Sequence, residues 1–299
     1  MVKLDHSEEL TWGVIEGSLE NIEQVKGGFT AARRGIVTLP RGKKAFVKIG
    51  VDDLTKQWAN KEIVTYRFLL QHRYPYLPHL LAHNSDETGF AVDALLSADG
   101  WDWSNTWSTD RLDRTLEAMD MLADIKPNGE DKMYFRSQSY SEEDNGWQFL
   151  ADSEERQRLL ADKFMTHGDN DLASNLNLPA MLTQSYKFRF NKSTFVHNDV
   201  RADNCAWNKG IKNVQLVDWS WAELGDRRVD INAMLVNAEV SGLDVSRGYR
   251  SRLDAPALQW LAGYWFKQAI TPVWSGGPKN IREFQLLSGI TAIKMANKL

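Results

Sequence analysis

Two short strand-like runs, CAWN at 205–208 and VQLVDW at 214–219, are separated only by KGIKN. That pattern is a hairpin signal. The hairpin carries a register with it. If Asn208 faces Val214, then Asn204 faces Asp218, and directly opposed residues of an antiparallel ladder have Cα atoms about 4.5–5.5 Å apart. An amide oxygen and a carboxylate would then meet at one end of the ribbon. Hard oxygen donors so placed suit Mg²⁺, which commonly takes one or two protein ligands and completes its shell with water and phosphate oxygens. Asp199, five residues before Asn204, is near enough to address the same point while staying off the metal, as a base or an orienting group.

At 299 residues the chain is long for a single core and is expected to form two lobes. Its 42% hydrophobic and 25% charged residues are those of a folded globular protein. A formal net charge of −4 argues against nucleic acid as a partner, because phosphate-backbone affinity needs clustered Lys and Arg. Cys205 is the only cysteine, which excludes an intrachain disulfide and a multi-cysteine metal site. MVKLDHSEEL lacks the apolar core of a signal peptide, and no run of about 18 apolar residues occurs. A cytoplasmic protein is expected, with no membrane association and no obligate protein partner.

Along the chain, 21–49 reads as three strands joined by a glycine turn and a tight turn at Pro40-Arg41-Gly42-Lys43, and 53–71 as a helix whose positive N-terminal end suits Asp52 and Asp53. PYLPHLLAHN ends that helix at prolines. GFAVDALL at 89–96 reads as a strand, and SADGWDWSNTW as a connection between lobes. The expected boundaries are 1–96 for the first lobe, 97–104 for the connection and 105–299 for the second. Leu112, Leu116, Met119 and Ala123 recur at helical spacing and mark an amphipathic helix. The most biased stretch, 142–171, holds nine acids against Arg156, Arg158 and Lys163, and reads first as a solvated face.

In KAFVKIG, alternation places Phe46 and Lys48 on one face of a strand and Ala45, Val47 and Ile49 on the other. A lysine among such neighbours needs a carboxylate or a ligand phosphate if its ammonium is buried. Glu62 is the natural partner. It lies on the aromatic stripe of the 53–71 helix and has no basic residue at i±3 or i±4. Gly27-Gly28 would let backbone amides approach phosphates, with a plain hairpin turn as the alternative. His79 and His83 have the spacing of a zinc pair on a helix, but HLLAH lacks the Glu of HExxH and follows Pro78. A second stretch, HGDNDLASN at 167–175, imitates the loop before the hairpin. It fails on spacing, five residues between Asp169 and Asn175, and no apolar strand ending in Asp follows it.

His197, Asp199 and Asn204, with four residues between the Asp and the Asn, then Asp218 at the end of an apolar strand, match the catalytic-loop arrangement of protein kinases. More closely, HNDVRADN followed by LVDWSWAELGDRRVDIN resembles the aminoglycoside phosphotransferase and choline kinase-like family, whose pattern is His-Gly-Asp, four residues, Asn, and later an Asp-Trp pair. The resemblance implies an α+β, bilobal protein-kinase-like fold. Its parts would be a small antiparallel-sheet lobe with one main helix and a larger, mainly helical lobe carrying a catalytic hairpin.

It also implies a small-molecule kinase moving the γ-phosphate of ATP or GTP to a hydroxyl of a small acceptor, a cationic aminoglycoside or amino sugar among the candidates. Asp199 would orient and deprotonate that hydroxyl, Asn204 and Asp218 would hold Mg²⁺, and Lys48, fixed by Glu62, would hold the α- and β-phosphates. Gly27 and Gly28 resemble the family's nucleotide loop, and Asp230 resembles the aspartate that braces its catalytic loop. Arg201 stands where a cation could neutralise charge on the transferring group, or is a surface arginine. Asn198 replaces the family's usual Gly, adding a side chain beside Asp199. A nucleotide-binding regulatory protein of the same fold, without turnover, is the alternative.

Overall fold

The computed structural model describes residues 10–25, 31–137, 139–273, 277–278 and 280–299. It falls into two compact units: 1–101 with 215–220, and 102–214 with 221–299. The six-residue return of the chain to the first unit carries Asp218.

The first unit opens with α1 (Trp12–Ser18), followed by β1 (Glu23–Gln24), β2 (Arg33–Thr38), β3 (Lys44–Ile49), α2 (Asp53–Gln71), β4 (Leu80–His83) and β5 (Gly89–Asp93). The five strands form one antiparallel sheet in the order β1-β2-β3-β5-β4. Its two faces do different jobs. Ala45, Val47, Val37, Leu39 and Ala91 pack with Ile15 of α1 into an apolar cluster, while Lys48, paired in register with Phe90, faces α2. The α2 side contributes Ile63, Tyr66 and Leu69, with the Tyr66 and Phe90 rings 5.7 Å apart. The start of α2 is fixed by a capping box: Asp52 accepts the Thr55 N–H at 2.8 Å, and the Asp52 N–H donates back to the Thr55 hydroxyl.

Local reading and structure part at β4. PYLPHLLAHN contains a strand, so His79 and His83 do not lie on a helix. Proline and histidine content conceals an edge strand that pairs on one side only. The strand at 89–96 is also shorter than expected, ending at Asp93. Gly27 and Gly28 lie outside the described residues.

The second unit is mainly helical. After β6 (Trp101–Asp102) come α3 (Thr109–Asp124), α4 (Gly129–Tyr134), α5 (Gly146–Ala151), α6 (Glu154–His167), α7 (Asn170–Asn175) and α8 (Leu178–Ser185). Four short strands follow, β7 (Thr194–Val196), β8 (Cys205–Asn208), β9 (Asn213–Leu216) and β10 (Glu223–Gly225). Helices α9 (Arg227–Val240), α10 (Val245–Gly248), α11 (Ala255–Ile270) and α12 (Ile281–Ala296) complete the chain. Helix α11 is the centre of this unit, packed on α5, α9 and α12. Its closest approach is glycine on glycine: a Cβ on Gly146 would lie 1.8 Å from the Gly263 carbonyl oxygen, so neither position accepts a side chain without separating α5 from α11. The α3 stripe of Leu112, Leu116, Met119 and Ala123 is buried as its spacing predicts.

Helix α6 is the solvated face that the 142–171 composition suggested, burying only Leu160 and Phe164. No helix among the described residues is long and apolar enough to cross a membrane.

Candidate active site

Residues 205–208 and 213–216 form neighbouring strands of a three-stranded sheet. The second strand starts one residue earlier than the sequence suggested, at Asn213. Upstream, β7 pairs with β10, Val196 opposite Glu223, and this delivers the chain at His197 into the loop that ends at Asn204.

That loop is a dense local network. The Asn204 amide nitrogen donates to the Asp199 carboxylate and to the Asp199 carbonyl, both at 2.9 Å. Arg201 donates from Nη1 to Asp199 Oδ1 at 2.5 Å, and from Nε and Nη2 to the two carboxylate oxygens of Asp203 at 2.9 and 3.0 Å. The Arg201 guanidinium is thus shared between two aspartates rather than left as a free cation. Asp203 was not singled out in the sequence.

Behind the loop, Asp230 on α9 accepts the backbone N–H groups of Asn198 at 2.8 Å and His197 at 3.3 Å. Burial pushes the Asp230 carboxyl up to about 7, against the lowering effect of those two bonds. His197 is fully buried, and its Nδ1 accepts the Asp199 N–H at 3.3 Å.

Asn198 has φ +64°, the left-handed region where glycine, and among other residues Asn or Asp, is most at home. Its amide turns inward, donating to Glu223 at 3.1 Å and to the Trp221 carbonyl at 3.4 Å, and is 6% exposed. The extra side chain therefore points into packing. Glu223 accepts in addition from the Ser137 hydroxyl and the Ser139 N–H.

In the first unit, Lys48, Glu62 and Asp218 come together. Lys48 Nζ lies 2.5 Å from Glu62 Oε1 and 3.0 Å from Asp218 Oδ1, and its side chain is 7% exposed. Burial opposes the ammonium charge, but Asp218 and then Glu62 outweigh it, so the lysine pKa stands above its ordinary value. One ammonium cannot neutralise two carboxylates. The fully buried Glu62 yields: desolvation outweighs the pull of Lys48 and pushes its carboxyl to about 7. Asp218 sits at φ +64°, two residues beyond β9, and also accepts from the Ser220 hydroxyl at 3.2 Å. Trp219 anchors this turn, its indole N–H donating to the Leu216 carbonyl and its ring edge-on to Tyr74.

Asp199 also has an aromatic neighbourhood. Tyr140 packs edge-on to Tyr264 at 5.1 Å, and Tyr264 stacks on Trp260 at 5.7 Å. Burial, then the charges of Asp144 and Asp199, pushes the Tyr264 hydroxyl up to about 12. Asp144 belongs to the acidic 142–171 stretch.

Asp199 fixes the nitrogen end of Asn204, which turns its amide oxygen the other way; in the first unit Asp218 carries a carboxylate, and each is a hard oxygen donor of the kind a divalent cation takes.

No protein-family model matches the chain, and no curated protein does. Solved structures do. The chain is similar to a spectinomycin phosphotransferase solved with ADP and spectinomycin, at 12% identity, TM-score 0.60 and 93% of each chain covered. It is similar to the GDP and kanamycin complex of APH(2")-IIia at 15% identity and TM-score 0.59, over 96% of this chain and 97% of that one. The choline kinase LicA from Streptococcus pneumoniae gives 10% identity and TM-score 0.55, over 95% and 98%. At such identities the likeness shows the fold: this chain has the protein-kinase-like α+β fold shared by aminoglycoside phosphotransferases and choline kinases.

Proposed function

We propose that the protein is a small-molecule kinase that moves the γ-phosphate of ATP or GTP to a hydroxyl of a small acceptor in the cytoplasm. The observation that carries this reading is the Lys48–Glu62–Asp218 cluster. Burying an ammonium and a carboxylate is costly, and with Asp218 only partly buried beside them the arrangement makes sense as a device for presenting one cation and one oxygen ligand to polyphosphate. Support comes from the ADP and GDP bound in structures of the same fold.

In this reading Asn204 and Asp218 hold Mg²⁺, which when bound neutralises charge on the phosphates. Lys48, kept in place by Glu62, holds the α- and β-phosphates. Asp199 orients the acceptor hydroxyl and takes its proton as the oxygen–phosphorus bond forms. The bond from the γ-phosphorus to the β,γ-bridging oxygen breaks, and the nucleoside diphosphate leaves. Arg201, donating to Asp199 Oδ1, orients that carboxylate and supplies positive charge beside the transferring group.

The acceptor reads as cationic. Tyr140 and Tyr264, backed by the buried Trp260, make with Asp144 an aromatic and anionic surround near Asp199, which suits an ammonium group. The test is transfer from Mg-ATP and Mg-GTP across a panel of aminoglycosides, amino sugars and amino alcohols, with Asp199→Asn as control. The Asp199–Arg201 pairing favours a second reading, a regulatory protein that binds nucleotide without turnover. Tight nucleotide binding with no acceptor-dependent turnover would support that one.

A further inference from the structure

Arg111, in the first turn of α3, is 1% exposed. Among the described residues no carboxylate lies within ion-pair distance of it. Its charge is spent on backbone. Nη1 donates to the Ser104 carbonyl at 2.9 Å and the Thr106 carbonyl at 2.7 Å, and Nη2 donates to the carbonyls of Ala202 and Cys205. Those last two residues flank the Asp203–Asn204 dipeptide. The guanidinium lies 5.1 Å from the centre of the Trp107 ring. Trp107 donates its indole N–H to Asn237 Oδ1 at 2.8 Å, and the same oxygen accepts the Ala202 N–H at 3.1 Å. Ala202 is therefore gripped by both its N–H and its C=O, in a circuit closed through Arg111, Trp107 and Asn237.

A buried guanidinium facing only carbonyls is a costly way to hold a loop, and its Nε–H is buried without a partner. No other side chain, however, offers donors in a planar fork wide enough to span four carbonyls. We propose that Arg111 is a positioning residue for the divalent-metal site: by clamping the carbonyls on both sides of Asn204 it fixes where the Asn204 amide oxygen points. The proposal rests on Asn204 being a metal ligand, as argued above.

The test uses the full-length chain and Mn²⁺ as the probe, read by electron paramagnetic resonance with ADP present. Arg111→Lys should weaken Mn²⁺ binding by about tenfold or more, the usual loss when a partner behind a metal ligand is removed. ADP affinity without metal should change less than about twofold, because Lys48 and Glu62 of the other unit are untouched. Equal losses in both would overturn the proposal in favour of a general packing role, as would unchanged Mn²⁺ affinity. Should Arg111→Lys fail to fold, Trp107→Phe keeps a ring over the guanidinium while cutting the bond to Asn237, and should weaken Mn²⁺ in the same direction. Wild-type protein that takes up no Mn²⁺ with ADP would overturn the metal reading instead. Amide exchange then decides Arg111 alone: the Ala202 and Asn204 N–H groups should exchange faster in the variant than the chain average, and unchanged rates would refute the clamp.

Discussion

The chain contains two His-x-Asp loops, at 167–169 and 197–199, and both place the middle residue at positive φ: Gly168 at +90° and Asn198 at +64°. Local backbone shape is thus shared, and it is the surroundings that differ. Gly168 ends α6 as a left-handed C-cap, Asp169 is held by Lys294 at the surface, and Asn175 bonds to Asp171 one helical turn away. Asn198 follows a buried strand. Asp230, Glu223 and Arg111 then brace its loop from three directions, so that Asp199 and Asn204 bond to each other. A motif becomes a site when tertiary packing makes its geometry unique; otherwise it is a helix terminus.

Matched substitutions break or sharpen that contrast. The largest difference is expected from Asp199→Asn, which removes the proposed base and should lower kcat by about 10²–10⁴-fold, against less than about twofold for Asp169→Asn, assayed for phosphate transfer. Next, Asn204→Ala should lower kcat by roughly 10²-fold and raise the Mg²⁺ requirement, while Asn175→Ala leaves both unchanged.

The pH response comes third. The Asp230 carboxyl stands at about 7 when folded, above its ordinary 3.8, so the folded state binds that proton more tightly. The stability this contributes is full below about pH 4 and is lost as pH rises through about 7. Glu62 acts in the same window and direction. Thermal melts should therefore fall in Tm between about pH 4 and 7, with a shallower slope in Asp230→Asn. Smallest is Gly168→Ala, which meets no neighbouring atom and should cost only the left-handed backbone penalty, about 1 kcal/mol, with activity intact.

What could be read from the sequence was what short-range patterns encode. The α2 helix with acids at its start, the alternation of β3 and the four-residue spacing between Asp199 and Asn204 are each fixed within a turn or a pleat. Glu62 was reachable because a buried lysine demands a partner and the helix offered none of its own. Asp218 joining that pair, 170 residues from Lys48, is a tertiary fact. Arg111 was not legible at all. It precedes Leu112 on α3 and looks like an exposed first-turn arginine, since its acceptors are carbonyls, which every residue carries. Nor was β4, whose pairing on one edge tolerates a sequence full of proline and histidine.

The central claim is tested most directly by following transfer of label from γ-³²P-ATP with Mg²⁺ to an acceptor panel, using wild type, Asp199→Asn and Asp169→Asn side by side. The account predicts acceptor-dependent labelling by wild type and Asp169→Asn and none above background by Asp199→Asn. Labelling that survives Asp199→Asn, or that is lost in Asp169→Asn, would contradict it.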